Sequence, residues 1–258
     1  MLYFNYLFLI VNRRIPESAI FGGAVIQLED WNTPDEILSS ELEIIEKYKP
    51  VYIYCVVEST KLSEINVLEK HGYHFVEFRI YCQLNLSEIN ISTKSFYPFT
   101  AALIGHNSDI KAAESLLLEG YSDDRYSNDP GIGKSLAKKR IVENLYKSYR
   151  AHPKEFVLGV FNSQSEKLVA FRSGELIGKN EAIYYQYGVD KTMPYEAMVG
   201  MLESFTIEYL KGRHVQIIHS VSTGFNIHEL NRLISDNNFK IVKTKVLVRK
   251  LVNPDLWA

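Results

Sequence analysis

His219 stands in the run Val215-Gln216-Ile217-Ile218-His219-Ser220-Val221, where an imidazole that titrates near neutral pH is carried on an apolar strand. Such a group can trade a proton with an amine or thiol, although a hydrogen-bonded core histidine has the same signature. A second concentration of chemistry lies in the polar stretch 120–133, GYSDDRYSNDPGIG. Arg125 is its only arginine, and a planar guanidinium makes paired, charge-assisted bonds to a diphosphate. Tyr126 beside it offers a stacking surface, and one of Asp123, Asp124 and Asp129 could orient a protonated amine or a hydroxyl. The bland alternative is that Arg125 pairs with one of these acids and braces the loop. Tyr185 and Tyr187, two apart in a β-like run, fall on one strand face by alternation and line either a pocket or the core.

Other signatures fail. Gly131-Ile132-Gly133-Lys134-Ser135 has the end of a phosphate-binding loop, but position 128 is asparagine and a polar loop precedes it instead of a strand. The seven histidines and two cysteines form no zinc spacing; His71 and His74 come nearest and straddle a turn, so no metal is expected. Lys134, Lys138, Lys139 and Arg140 read as a solvated helix face.

The bulk composition narrows the classes. The chain has 258 residues, enough for one large or two modest domains, and is 46% hydrophobic and 23% charged, as globular proteins are. A net charge of −2 gives no general attraction to nucleic acid or anionic membrane. Cys55 and Cys82 lie inside β-like runs and read as reduced core thiols, which suits the cytoplasm. The opening MLYFNYLFLIVNRR puts its arginines after the apolar run, the reverse of a signal peptide, and is too short to span a bilayer. A buried strand is expected there.

The elements that must position these groups follow from periodicity and punctuation. Strands are expected at Leu2–Val11 and Phe21–Leu28. Thr33-Pro34-Asp35 starts a helix to Tyr48 with Ile37, Leu38, Leu42 and Ile45 inward. Strand Val51–Val57, helix Leu62–His71 and strand His74–Leu84 precede a polar linker, Leu86–Ser95. The rest reads as strand Phe99–Ile104, helices Ile110–Leu118 and Leu136–Tyr149, and three antiparallel strands Phe156–Phe161, Leu168–Ile177 and Ala182–Val189. Then come a helix from Thr192-Met193-Pro194, strand Val215–Val221, helix Ile227–Asp236 and strand Lys240–Leu251. The predicted class is α/β with a mixed sheet. Two stretches share one grammar of strand, helix, turn, aromatic residue and closing strand: Val51–Leu86 and Val215–Leu251, with Tyr73 and Phe239 166 residues apart. That period is too long for a solenoid and suits two related domains.

The order from Phe99 to Leu251, with Asn226 after the penultimate strand and Phe239 after the last helix, resembles the GNAT acyltransferase fold. The first unit resembles a truncated copy, so the resemblance implies a tandem GNAT-like fold: a truncated N-terminal half, 1–95, and a complete C-terminal domain, 96–258. That arrangement, with the segment Asp124–Pro130, is similar to the sugar-nucleotide N-acyltransferases of the dTDP-fucosamine acetyltransferase type. It implies transfer of an acyl group from acyl-CoA, acetyl or larger, to a nucleotide-linked amino sugar, as in lipopolysaccharide biosynthesis. A degenerate GNAT-like binding module, or the same chemistry on another amine, is the alternative.

One departure bears on the donor. The family's pyrophosphate signature, Arg/Gln-x-x-Gly-x-Gly/Ala, is replaced by Asp190-Lys191-Thr192-Met193-Pro194-Tyr195-Glu196-Ala197. Free N–H groups at a helix start attract phosphate whatever the side chains, and Lys191 adds a charge, while Pro194 supplies no N–H and Glu196 opposes an anion. By position, Val189, Lys191, Thr192 and Tyr195 are expected along the donor, and Asn226 either binds pantetheine or caps its helix. The family splays the two strands at Tyr185–Val189 and His219–Val221 to expose an oxyanion hole, with Gly188 permitting close approach. Leu233 falls where many members carry an acid tyrosine. His219 is therefore expected as the catalytic proton carrier, with Glu175 the second candidate. Arg125, Tyr126, Asp129, Tyr185 and Tyr187 are expected at the acceptor.

Overall fold

Alternating apolar runs and amphipathic stretches build a single mixed sheet in the computed structural model, which describes residues 9–89, 96–120, 126–129 and 131–252. In chain order the elements are β1 (Ile10–Arg13), α1 (Ile15–Phe21), β2 (Ala24–Glu29), α2 (Pro34–Tyr48), β3 (Pro50–Glu58), α3 (Leu62–Lys70) and β4 (His74–Asn85). They continue as β5 (Phe99–Leu103), α4 (Asn107–Gly120), α5 (Lys134–Arg150), β6 (Glu155–Asn162), β7 (Lys167–Ile177), β8 (Glu181–Val189), α6 (Tyr195–Gly212), β9 (Ile217–Thr223), α7 (Ile227–Asn231) and β10 (Lys240–Leu251). No helix among the described residues is long and apolar enough to cross a membrane.

The ten strands lie in the order β1-β2-β3-β10-β4-β9-β8-β7-β6-β5. The last strand of the chain is thus inserted between β3 and β4, antiparallel to both. β4 in turn pairs β9. The two closing strands of the repeat lie side by side, and each carries the sheet into the opposite half. Alternation along the strands separates two faces. Ile53, Cys55 and Val57 pack with Ile37 and Ile44 of α2 and Leu68 of α3. Tyr52 and Tyr54 turn the other way, to Ile20 and Phe21 of α1 and Ala137 of α5. Cys82, Leu84, Ala182 and Ile218 meet α6, whereas Val157, Leu168 and Phe171 meet α4 and α5. Helices α2, α3 and α6 cover one face, and α1, α4 and α5 the other.

Several expectations shift. Most of the strand expected at Leu2–Val11 lies outside the described residues; its end falls in β1. The strand expected from Phe21 begins only at Ala24, because Ile15–Phe21 is a helix with Pro16 in its first turn and Gly22 in a left-handed cap, φ 70°. In α2 Ile37 and Ile44 are buried and Leu38 and Ile45 pack partly buried against the same core, as expected apart from Ile44, while Leu42 is 75% exposed. Leu42 lies at the edge of that apolar stripe and turns to solvent, while Ile44 lies nearer its centre. The linker begins in the core: Leu86 is buried and its N–H bonds the Gln216 carbonyl, while residues 90–95 lie outside the described region. Both cysteines are buried and free, and burial pushes the Cys55 thiol up to about 12.

Asp129 and Tyr126, expected at the acceptor, are structural. Asp129 is buried and receives two hydrogen bonds from Arg249 of β10, at 2.8 and 2.7 Å, and one each from the Tyr52 hydroxyl and the Gly131 N–H. Tyr126 is 0% exposed, enclosed by Phe21, Tyr52 and the guanidinium of Arg140, 4.4 Å from its ring. An aromatic beside a polar loop is drawn inward wherever the sheet leaves apolar surface uncovered. Asp123, Asp124 and Arg125 lie outside the described residues.

Removing one partner of a buried ion pair strands the other charge. Asp129→Ala should therefore lower the stability to urea by roughly 3–5 kcal/mol, measured as a reduced unfolding midpoint at unchanged slope.

Candidate active site

The parallel strands β8 and β9 pair over only three positions, Glu181–Ile183 against Ile217–His219. Beyond them Tyr184–Val189 keep β7 as partner and Ser220–Thr223 keep β4, so an opening forms between them. A bulge in β8 coincides with it: between the pairs Gly174–Tyr184 and Arg172–Tyr187, two β8 residues oppose one of β7. The bulge resets the alternation. Tyr184 and Tyr187 both meet the Arg172 guanidinium, at 4.2 and 5.4 Å, whereas Tyr185 donates to Glu175. The expected sharing of one face by Tyr185 and Tyr187 is overturned for this reason.

His219 occupies the last paired position. Its neighbour Ile218 packs toward α6, so alternation turns the imidazole to the opposite face, half-buried. Its Nε2 lies 2.8 Å from Oε2 of Glu181. On the next strand of the sheet beyond β8, Glu175 of β7 accepts from Tyr185 and pairs with Lys154 at 2.8 Å. Partial burial opposes its ionisation, but the bonds from Lys154 and Tyr185 outweigh this and hold its carboxyl below the usual range. A carboxylate so engaged is a weaker base than an unpaired one. Burial and then Glu175 push the Tyr185 phenol up.

The α6 face of the opening holds a network that sequence reasoning missed. Glu229 accepts two bonds from Arg232, at 2.9 and 2.6 Å, and one from the Tyr187 hydroxyl at 2.8 Å. The Tyr187 and Tyr195 hydroxyls are 2.8 Å apart. Glu203 of α6 accepts from Tyr184 and lies 3.0 Å from Arg172 Nη2, off the hydrogen-bond axis, and 3.8 Å from Arg232 Nη1. Burial, and then Glu229, push the Tyr187 phenol well up, so it stays protonated. The available signal was a charge inside an apolar run: Arg172 in LVAFRSG and Glu203 in MVGMLESF.

The loop before α6 is tied inward. Asp190 accepts from the Thr192 N–H at 2.9 Å, the Thr192 hydroxyl at 2.7 Å and Lys167 at 2.6 Å. The expected phosphate donor Thr192 thus spends its N–H within the loop. Lys191 is exposed. No side chain caps α6, whose N-cap is Pro194, and Glu196 of its first turn meets His228 at 3.1 Å. Tyr195 is half-exposed against the His228 ring, 5.7 Å away. Val189 packs in the core with Met198 and Leu202. Asn226 caps α7, its Oδ1 accepting the Glu229 N–H, so the carbonyl end is committed to the helix. Gly188 makes room for α4, since a Cβ there would meet Phe171 at 2.6 Å and the Leu116 backbone at 3.0 Å. Leu233 is buried in a π turn, Arg232–Asp236, that extends α7.

No family model and no curated protein matches the chain. Solved structures do. A GCN5-related N-acetyltransferase from Sphaerobacter thermophilus gives a TM-score of 0.62 at 15% identity, covering 94% of this chain and 75% of that one. A tandem GNAT protein from the clavulanic acid biosynthesis pathway, without AcCoA, gives 0.63 at 11% identity over 90% and 77%. A GCN5-related N-acetyltransferase from Kribbella flavida gives 0.60 at 10% identity over 89% and 82%. The fold is the GNAT fold. The mixed α/β sheet and tandem arrangement expected from the sequence are both present, and the likeness is one of architecture.

Asp190 yields a test of the loop. Lys167, then Thr192, hold its carboxyl down to about 2. A depressed carboxyl stabilises the fold above its ordinary range and loses that contribution as pH falls through the folded value. The Tm difference between the native chain and Asp190→Asn should be constant above about pH 5 and shrink between about pH 4 and 2. A difference independent of pH across that window would show the contacts of Asp190 to be neutral in effect.

Proposed function

We propose that the chain is an N-acyltransferase that moves an acyl group from acyl-CoA to an amine at the opening between β8 and β9. The observation that carries this reading is the placement of proton-handling groups on both faces of that opening. His219 with Glu181 lies on one face, and Tyr187 with Tyr195 and Glu229 on the other. With Nε2–H donating to Glu181, Nδ1 is the nitrogen that takes the proton from the incoming amine, and the carboxylate stabilises the imidazolium. The neutral amine then attacks the thioester carbonyl, and the cationic nitrogen of the tetrahedral intermediate releases its second proton to solvent. Backbone N–H groups where β8 leaves β9 meet the oxyanion. As the carbon–sulfur bond breaks, the thiolate takes a proton from the Tyr195–Tyr187 pair, and solvent returns the His219 proton to the phenol. Burial and Glu229 keep Tyr187 protonated at neutral pH, so Tyr195, hydrogen-bonded to it and half-exposed, is the outer hydroxyl of the pair that faces the thiolate.

The donor's phosphates belong at the uncapped start of α6, with Lys191 adding charge and Asp190 and Glu196 opposing. The acceptor the resemblance implies, a nucleotide-linked amino sugar, is part of this proposal. With Tyr126 and Asp129 committed to the core, it rests on Arg125 and on Tyr185, which lies beside Glu175. The division into a truncated unit, 1–95, and a complete one, 96–258, and a cytoplasmic location suited to free Cys55 and Cys82 complete it. A second reading, a GNAT-like binding protein without catalysis, is favoured by one observation: the Thr192 N–H is occupied by Asp190.

Calorimetry with acetyl-CoA and an acyl-transfer assay over amino-sugar nucleotides and simple amines separate the two. Heat of binding without turnover on any amine selects the binding protein. If the enzyme reading holds, His219→Ala should lower kcat about 100-fold. Glu181→Gln should cost less, because it leaves the imidazole in place and removes only the carboxylate that orients it. An unchanged rate in folded His219→Ala would return that residue to a structural role.

A further inference from the structure

The repeat creates a second crevice in the first half. β2 and β3 run parallel only to the pair Leu28–Cys55. Beyond it Glu29–Trp31 and Val56–Glu58 diverge, as β8 and β9 do beyond Ile183 and His219. The carboxyl ends of parallel strands are where open sheets hold ligands. A cavity of about 400 Å³ lies there, bordered by β2, β3, β10 and β4. That volume falls within the roughly 300–1,000 Å³ of small-molecule sites.

The charges of its wall point to the ligand. Lys245 and Arg79 stand opposite each other across β10 and β4, a like-charge pair. Each is neutralised by an acid: Lys245 by Glu58 at 3.0 Å, and Arg79 by Glu77 at 2.8 Å. Lys61, the remaining wall cation, pairs with Glu64 at 3.0 Å. Every cation of the wall is therefore matched. Glu29 and Asp30 are in no ion pair and no side-chain hydrogen bond among the described residues. Oε2 of Glu64 is buried without a hydrogen-bond partner. The aromatic walls, Trp31 and Tyr81, already draw ammonium groups: Lys61 Nζ lies 6.0 Å from the Trp31 ring, and Lys243 Nζ 4.8 Å from the Tyr81 ring. Unmatched carboxylates beside aromatic faces select an organic cation, which gains from both the charge and the ring quadrupole. An anion would meet only lysines and an arginine already paired.

We propose that this cavity is a binding site for a small organic ammonium ion, separate from the opening between β8 and β9 and independent of acyl transfer. The site's own fluorophore tests it. The chain has two tryptophans, Trp31 and Trp257, so Trp257→Phe leaves Trp31 as the single indole. In that background, putrescine titrated at constant ionic strength should change Trp31 emission saturably, and 1,4-butanediol, the uncharged analogue, should not. Glu29→Gln with Asp30→Asn should weaken putrescine binding about tenfold or more, as expected for lost charge-assisted bonds. Tm confirms that the double variant is folded; if it is not, the Glu29→Gln single variant is titrated by calorimetry with the same expected direction. No saturable change, an equal response to the diol, or unweakened binding in the folded variant overturns the site. No acyl-CoA is present in the titration, so this result stands whatever the outcome of the acyl-transfer assay.

Discussion

The pairing of β4 with β10 is the contact on which the rest of the molecule depends. It runs from Lys240–Gln83 to Arg249–His74 and joins the closing strands of two similar units. Without β10, β3 would present an unpaired edge, and Val246, Leu247 and Val248 would lose both of their apolar surroundings, one on each face. The same strand carries Arg249 to Asp129, which anchors the segment around Tyr126. On the other side, β4 gives β9 a partner along its full length, so β9 can part from β8 without leaving the sheet. A strand held on one edge can afford to be open on the other, and that is the physical basis of the opening.

Buried charge does a second kind of structural work at that opening. Arg172, Glu203, Arg232 and Glu229 place two cations and two anions between β7, α6 and α7. Such groups stay ionised inside a protein only when matched, and their net contribution to stability is small. Their effect here is geometric. Arg172 draws Tyr184 and Tyr187 to one face across the β8 bulge, and Glu229 fixes the Tyr187 hydroxyl. Burial works against the charge of Arg232, but its bonds to Glu229 outweigh this and keep it a guanidinium. A phenol held in this way stays protonated, with its hydroxyl fixed in place.

Local pattern determined much of the fold. The three-strand meander β6–β8, helices α2 to α6, the parallel crossover to β9 and the repeat of closing strands were all legible, because each rests on side-chain period and turn chemistry within about a dozen residues. So was the parting of the strands near Tyr185 and His219, through the resemblance of element order. Where a signal was short, reading failed: Pro16, in the polar stretch before Phe21, marked the start of α1, and Leu42, at the edge of its helix's apolar stripe, faces solvent while Ile44 is buried.

Contacts between distant segments were decided by tertiary structure alone. Nothing in the run around Arg249 announces Asp129, 120 residues earlier, as its partner. The loss of Tyr126 and Asp129 from the acceptor site follows from that pairing. The bulge in β8 cannot be seen in the strand's own alternation, because it is a property of two strands in register, and it separates Tyr185 from Tyr187. Glu181 and Glu229 acquire significance only from what stands opposite them, His219 and Arg232 with Tyr187. Sequence by itself determined which residues lie on strands and helices and in what order, since those preferences are local. Which charge meets which, and on which face of the opening, was settled by strand register and helix packing, where the partners of a contact are far apart in the chain.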